Sequence, residues 1–206
     1  LKPVTDAIVK HRVNEKNLEN KAEALTLENE SIFKLNEVFD EASKLDNKEQ
    51  AFNLIQSKLG NKPTVSLHLR RGDYIQPHFS FCELDSEYYV KAIIDNFSPI
   101  EDYNFLIFSN DIDYAKELFE GDNIWFVEPK DVDEMSYTSS ENEDLALMSL
   151  CDHNIIANSS YSWWGAFLNK NKNKKIICPT NYVKPNHPSN WINGNYYPST
   201  WINIDN

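Results

Sequence analysis

His68, Arg70, Arg71 and Asp73 stand together in the stretch SLHLRRGDY, where a short apolar run ends. Alternation along a strand sends Ser66, His68 and Arg70 to one side and Val65, Leu67 and Leu69 to the other. Arg70 then reaches outward from the strand end. Its guanidinium is a planar fork that matches the oxygens of a phosphate or carboxylate. Gly72 lets the chain turn or lets a ligand come close. Asp73 can take a proton from a reacting hydroxyl, or it can orient an arginine. The same spacing also fits a structural Arg–Asp pair, or an adhesion tripeptide in Arg71, Gly72 and Asp73.

Two further clusters carry similar chemistry. In ANSSYSWWGAF, Asn158, Ser159 and Ser160 lead into an aromatic helix that contains Ser162. The unpaired N–H groups and dipole of a helix start favour an anion, although Ser159 also suits a plain N-cap. Trp163 and Trp164 can stack on a base or sugar, or pack the helix on the fold. Ser109, Asn110 and Asp111 follow the apolar run YNFLIF. Asp144, within ENEDLAL, could accept the N1 and N2 protons of a guanine, or remain a solvated helix acid. Two Asp-x-Asp patterns, from Asp111 and from Asp131, resemble those of metal-dependent sugar transferases. Both are expected by chance in so acidic a chain, and the reading is that no metal is bound. His11, His78, His153 and His187 show no ligand spacing.

These groups need elements to hold them. From Thr64, short apolar runs alternate with helix-like segments: TVSLHLR, SEYYVKAIIDNF, YNFLIFSN, DIDYAKELF, NIWFV, SENEDLALMSLC, HNIIANS, SYSWWGAFLN and KKIICP. That alternation predicts an α/β fold, a Rossmann-like parallel sheet covered on both faces. Ser86 is read as the cap of the helix it opens. Open parallel sheets bind ligands beyond the carboxyl ends of their strands, which is where the polar clusters fall. Residues 1–62 form a charge-rich segment with apolar steps of three and four, predicted to be helical. Residues 63–206 are the Rossmann-like domain. Its tail from Tyr182 is predicted to be irregular and to wrap back over the domain.

The chain has 206 residues, 41% hydrophobic and 25% charged, with a formal net charge of −12. Such acidity argues against a nucleic-acid binder, which needs a basic face, and against adsorption to anionic lipid. Cys82, Cys151 and Cys178 form no Cys-x-x-Cys pair. They read as reduced thiols in a cytoplasmic protein. No apolar run is long enough to span a bilayer.

Taken in order, HLRRGDY, FSNDIDYAKELF, DLALMSLCDHNIIANSSYSWWGAFLN and YYPSTWINI resemble the bacterial α-1,2-fucosyltransferases of glycosyltransferase family 11. The similarity runs from about Val65 to Ile204. The histidine–arginine element is also shared with α-1,6- and protein O-fucosyltransferases. The resemblance implies the donor-binding half of a GT-B-like enzyme that uses GDP-L-fucose as donor, without a cofactor or metal. It implies inversion at fucose C1 and a β-galactoside in an oligosaccharide, such as an O-antigen, as acceptor. The enzyme would be cytoplasmic or peripheral at the inner membrane face. Arg70 would then hold the β-phosphate, His68 would lie beside the nucleotide, and Asp144 would recognise guanine. Ser159, Ser160 and Ser162 would wrap the diphosphate or ribose. Nothing in the chain matches the Gly-rich opening of the family, so much of the N-terminal half is expected to be missing.

Overall fold

The run TVSLHL forms β1 (Thr64–Leu69), buried along its whole length as the centre of a parallel sheet must be. The structure, a computed structural model, describes residues 57, 59–60, 62–75, 80–127 and 139–206. After β1 come α1 (Ser86–Asn96), β2 (Asn104–Ser109), α2 (Ile112–Leu118) and β3 (Ile124–Val127). Then follow α3 (Ser139–Leu150), β4 (His153–Ile155), α4 (Ser160–Leu168), β5 (Ile176–Pro179) and β6 (Ile202–Ile204).

The six strands are all parallel and lie in the order β3-β2-β1-β4-β5-β6. The chain builds outward from β1 to β3, then returns to the other side of β1 to lay down β4. This reversal leaves a crevice beyond the carboxyl ends of β1 and β4, because the connections leave those two strands in opposite directions. The Rossmann-like α/β layer read from the sequence is therefore the observed architecture.

Alternation in β1 sorts its side chains as expected. Val65, Leu67 and Leu69 enter the core under α1 and α2, with Tyr88, Tyr89 and Phe97. On the opposite face, Leu106 and Phe108 pack with Met148 of α3, and Ile156 and Ile176 pack with Ala166 of α4. The helices α3 and α4 cross closely: a Cβ at Gly165 would sit 2.9 Å from the Met148 Cβ. A buried amide network fastens β4. Asn154 donates to Ser66 Oγ and to the Met148 carbonyl, both at 2.7 Å, and its Oδ1 accepts from Asn169 at 2.8 Å.

Two expectations are corrected. The cap of α1 is Asp85, whose Oδ1 accepts the Glu87 and Tyr88 N–H groups, and Ser86 is the first helical residue. Two cap-forming side chains stand next to each other, and the carboxylate is the stronger acceptor. The tail is not wholly irregular, since Ile202–Ile204 adds β6 beside β5. Elsewhere it does wrap back, with Tyr182, Val183, Tyr197 and Trp201 covering β5 and α4. The helical segment expected over 1–62 lies almost entirely outside the described residues, as do His11, His78 and the Asp131 pattern. No helix among the described residues is long and apolar enough to cross a membrane.

Candidate nucleotide site at the sheet reversal

β1 ends in the turn that carries the arginines. The backbone passes into a 3-10 turn, Gly72–Ile75, with the Tyr74 N–H donating to the Arg71 carbonyl at 2.6 Å. Arg70 is half-buried, and its guanidinium lies 5.2 Å from the centre of the Tyr74 ring. Tyr74 stacks on Phe81 at 4.2 Å, and Phe81 meets Tyr182 edge-on. An aromatic wall thus supports the cation from the tail side. Asp73 is on the turn, and its carboxylate lies outside what the structure describes.

His68 is buried two residues before Arg70, with its ring 5.7 Å from that of Tyr161 on α4. Burial, and secondarily the Arg70 charge, push its pKa from 6.5 down to about 3. The imidazole is therefore neutral, with one nitrogen donating and the other accepting. Its Nδ1 is buried and makes no hydrogen bond among the described residues.

The other lip follows β4. Asn158 is buried and donates to the Cys82 and Tyr182 carbonyls at 2.7 and 2.9 Å, tying the lip to the tail. Its Oδ1 is buried without a hydrogen bond among the described residues. Ser159 is the N-cap of α4 with extended backbone, and its hydroxyl makes no capping bond. Ser160 is exposed at the helix start, with its backbone facing the Tyr182 phenol. Ser162 is fully buried and donates to the Ala157 and Ser159 carbonyls at 3.4 and 3.3 Å. Its hydroxyl thus closes the helix start from within. Trp163 packs against Trp201 in the core, whereas Trp164 is 51% exposed.

The end of β2 makes a different contribution. Asn110 Oδ1 accepts the Arg71 N–H at 2.9 Å. Asp111 caps α2, accepting the Tyr114 N–H at 3.3 Å, and lies 3.8 Å from Arg71 Nε. The polar oxygens of this strand end thus engage the β1 turn. Asp144 is half-buried on α3, the helix that packs on α4. Among the described residues no group of three or more His, Cys, Asp or Glu side chains is arranged to hold a metal ion.

The structure accordingly brings His68, Arg70, Asn158, Ser159 and Ser160 to the adjacent ends of β1 and β4. Tyr161, Tyr114, Tyr74 and Tyr182 were not among the residues singled out from the sequence. Tyr114 stands three places after the cap Asp111, which puts it on the first turn of α2. That offset was the available signal. The aromatic residues of the tail had no comparable one.

A six-stranded parallel sheet with polar groups gathered at its reversal point defines an α/β domain of the Rossmann-like class. The chain also matches the model of glycosyl transferase family 11 over residues 23–205, and it belongs to that family. It is 39% identical over 145 residues to the O-antigen biosynthesis glycosyltransferase WbnK of Escherichia coli, covering 65% of this chain and 45% of the relative. It is 31% identical over 150 residues to an alpha-1,2-colitosyltransferase of Escherichia coli, covering 69% of this chain and 48% of that protein. The chain spans about half the length of the curated relatives it matches.

Proposed function

We propose that the β1–β4 crevice holds the diphosphate of GDP-L-fucose, and that the protein serves transfer of the fucose to the 2-hydroxyl of a β-galactoside in a glycan. The observation that carries this reading is a pair of buried polar atoms without a hydrogen bond among the described residues, His68 Nδ1 and Asn158 Oδ1, on neighbouring strand ends beside Arg70 and the start of α4. A buried polar atom without a partner costs stability, so its survival at a crevice is accounted for by a ligand that bonds it.

The chemistry follows from the charge that develops. As the bond from fucose C1 to the phosphate oxygen breaks, negative charge grows on the departing GDP. A fixed guanidinium and the first N–H groups of α4 stabilise that charge without reorganising. This supplies the role a divalent ion fills elsewhere, and the reaction is proposed to need no metal. Attack by the acceptor oxygen from the opposite face inverts C1, and its proton needs an acceptor. Asp73 is proposed for that role, with orientation of an arginine as its alternative. Asp144 is proposed to recognise the guanine edge.

Incubating the protein with GDP-fucose and a β-galactoside, followed by mass spectrometry of the glycan, tests the reading. A product heavier by one fucose residue, in a 1,2 linkage, is expected. GDP binding without any product would instead favour a nucleotide-binding half that does not turn over alone. The relative named for colitosyl transfer makes colitose the alternative donor sugar, and running both donors decides between them.

A further inference from the structure

The paired arginines do different work, and the end of β2 is what separates them. We propose that Asn110, Asp111 and Tyr114 form a clamp on Arg71 that holds the turn after β1 and so positions Arg70 toward the crevice. The inference rests on the donor reading of Arg70 and extends it to residues on a different strand and helix.

Four contacts converge on two residues. The Arg71 guanidinium carbon lies 3.5 Å from the centre of the Tyr114 ring, close enough for a strong cation–π contact. Its Nε is 3.8 Å from Asp111 Oδ2. Its backbone N–H donates to Asn110 Oδ1 at 2.9 Å. Gly72 then passes so close to the Asn110 amide that a Cβ there would meet Nδ2 at 2.3 Å, with φ at +36°. Side chain and main chain of the turn are thus fixed to the same strand end. Asp111 in turn is held by its capping bond to the Tyr114 N–H, so α2 and the clamp share one support.

The consequence is geometric. β1 and β2 are paired through Leu69 and Ser109, their last residues, so the two loops leave side by side. With Arg71 committed to the β2 side, the adjoining residue is turned away from it. Arg70 accordingly stacks toward Tyr74, on the side of Phe81 and the tail. If the clamp is released, the turn can rotate and the fork of Arg70 loses its aim. Asn110 and Asp111 are then positioning residues, which act on the donor through Arg71.

Calorimetric titration of the full chain with GDP tests this, using Asn110→Ala, Tyr114→Leu and Tyr114→Phe beside the wild type. Asn110 is exposed, so its replacement leaves the core intact. Tyr114→Leu is expected to weaken GDP binding about 3- to 10-fold, the scale of one cation–π contact transmitted to the turn. Asn110→Ala should weaken it by a similar factor. Tyr114→Phe keeps the ring face and should bind like wild type. Hydrogen exchange at the Arg71 amide should accelerate in Asn110→Ala. Undiminished GDP affinity in both weakened variants, with the wild type binding, would overturn the clamp alone. Absence of GDP binding by the wild type would overturn the donor reading and the clamp with it.

Discussion

Acidification should destabilise the domain through His68 before any ligand is considered. The ring is buried at the end of β1 beside Tyr161, with the Arg70 charge nearby and no hydrogen bond at Nδ1 among the described residues. Burial first, then Arg70, lowers its pKa from 6.5 to about 3. The folded value lies below the unfolded one, so the fold favours the neutral ring. Between those two values the unfolded chain binds more protons than the native one, and stability falls as pH falls. The contribution is therefore complete above the unfolded pKa and is lost progressively toward the folded one. For this shift, moving from about pH 7 to about pH 5 removes roughly 2 kcal/mol. His153 is lowered in the same direction by burial and adds a slope of its own. Comparison with His68→Gln isolates the first group, because His153 is common to both proteins. Urea unfolding at the two pH values supplies the free energies. The wild type should lose about 2 kcal/mol more than the variant on acidification. Equal losses in the two proteins would refute the reasoning, since they would mean that His68 titrates alike in the folded and unfolded chain.

Three further outcomes are expected. Gly72→Ala forces a side chain into a positive φ and against Asn110, and should lower stability by about 1–2 kcal/mol in denaturant unfolding; an unchanged midpoint would contradict the packing of the turn. Asn154→Ala removes the hub that joins Ser66, the Met148 carbonyl and Asn169, and should cost about 3 kcal/mol by leaving buried partners unsatisfied. A loss below about 1 kcal/mol would show that the network relaxes around the gap. Turnover with GDP-fucose should persist in EDTA, and activity lost to EDTA and restored by manganese would contradict the proposed metal-free stabilisation of the leaving group.

How much of this was legible follows from the range of each interaction. The strands from β1 to β5 announce themselves because central parallel strands are short apolar runs, and the polar residues that end them stand out locally. The Asp111 cap is legible from its own neighbourhood too, because that residue heads the run DIDYAKELF. Three-residue β6 is not, because Ile202 is 40% exposed and Asn203 is exposed too, so the segment lacks the buried signature of the others. Its strand character comes only from pairing with β5. The division of labour between Arg70 and Arg71 was equally hidden. It depends on Asn110, 39 residues away along the chain, and on a ring from α2. The place of Ser162 shows the converse: its type and position suited a ligand, yet its hydroxyl points into the helix start. Spacing reveals which groups can meet at a strand end, whereas packing decides which of them face the crevice.

The central claim is that Arg70 and the start of α4 hold a nucleoside diphosphate at the sheet reversal. Calorimetric titration of GDP into the wild-type chain and into Arg70→Ala tests it most directly. The account predicts saturable binding by the wild type and at least about a tenfold loss in the variant, or about 1.4 kcal/mol, as expected when a charge-assisted fork is removed. Equal GDP affinity in the two proteins would contradict it.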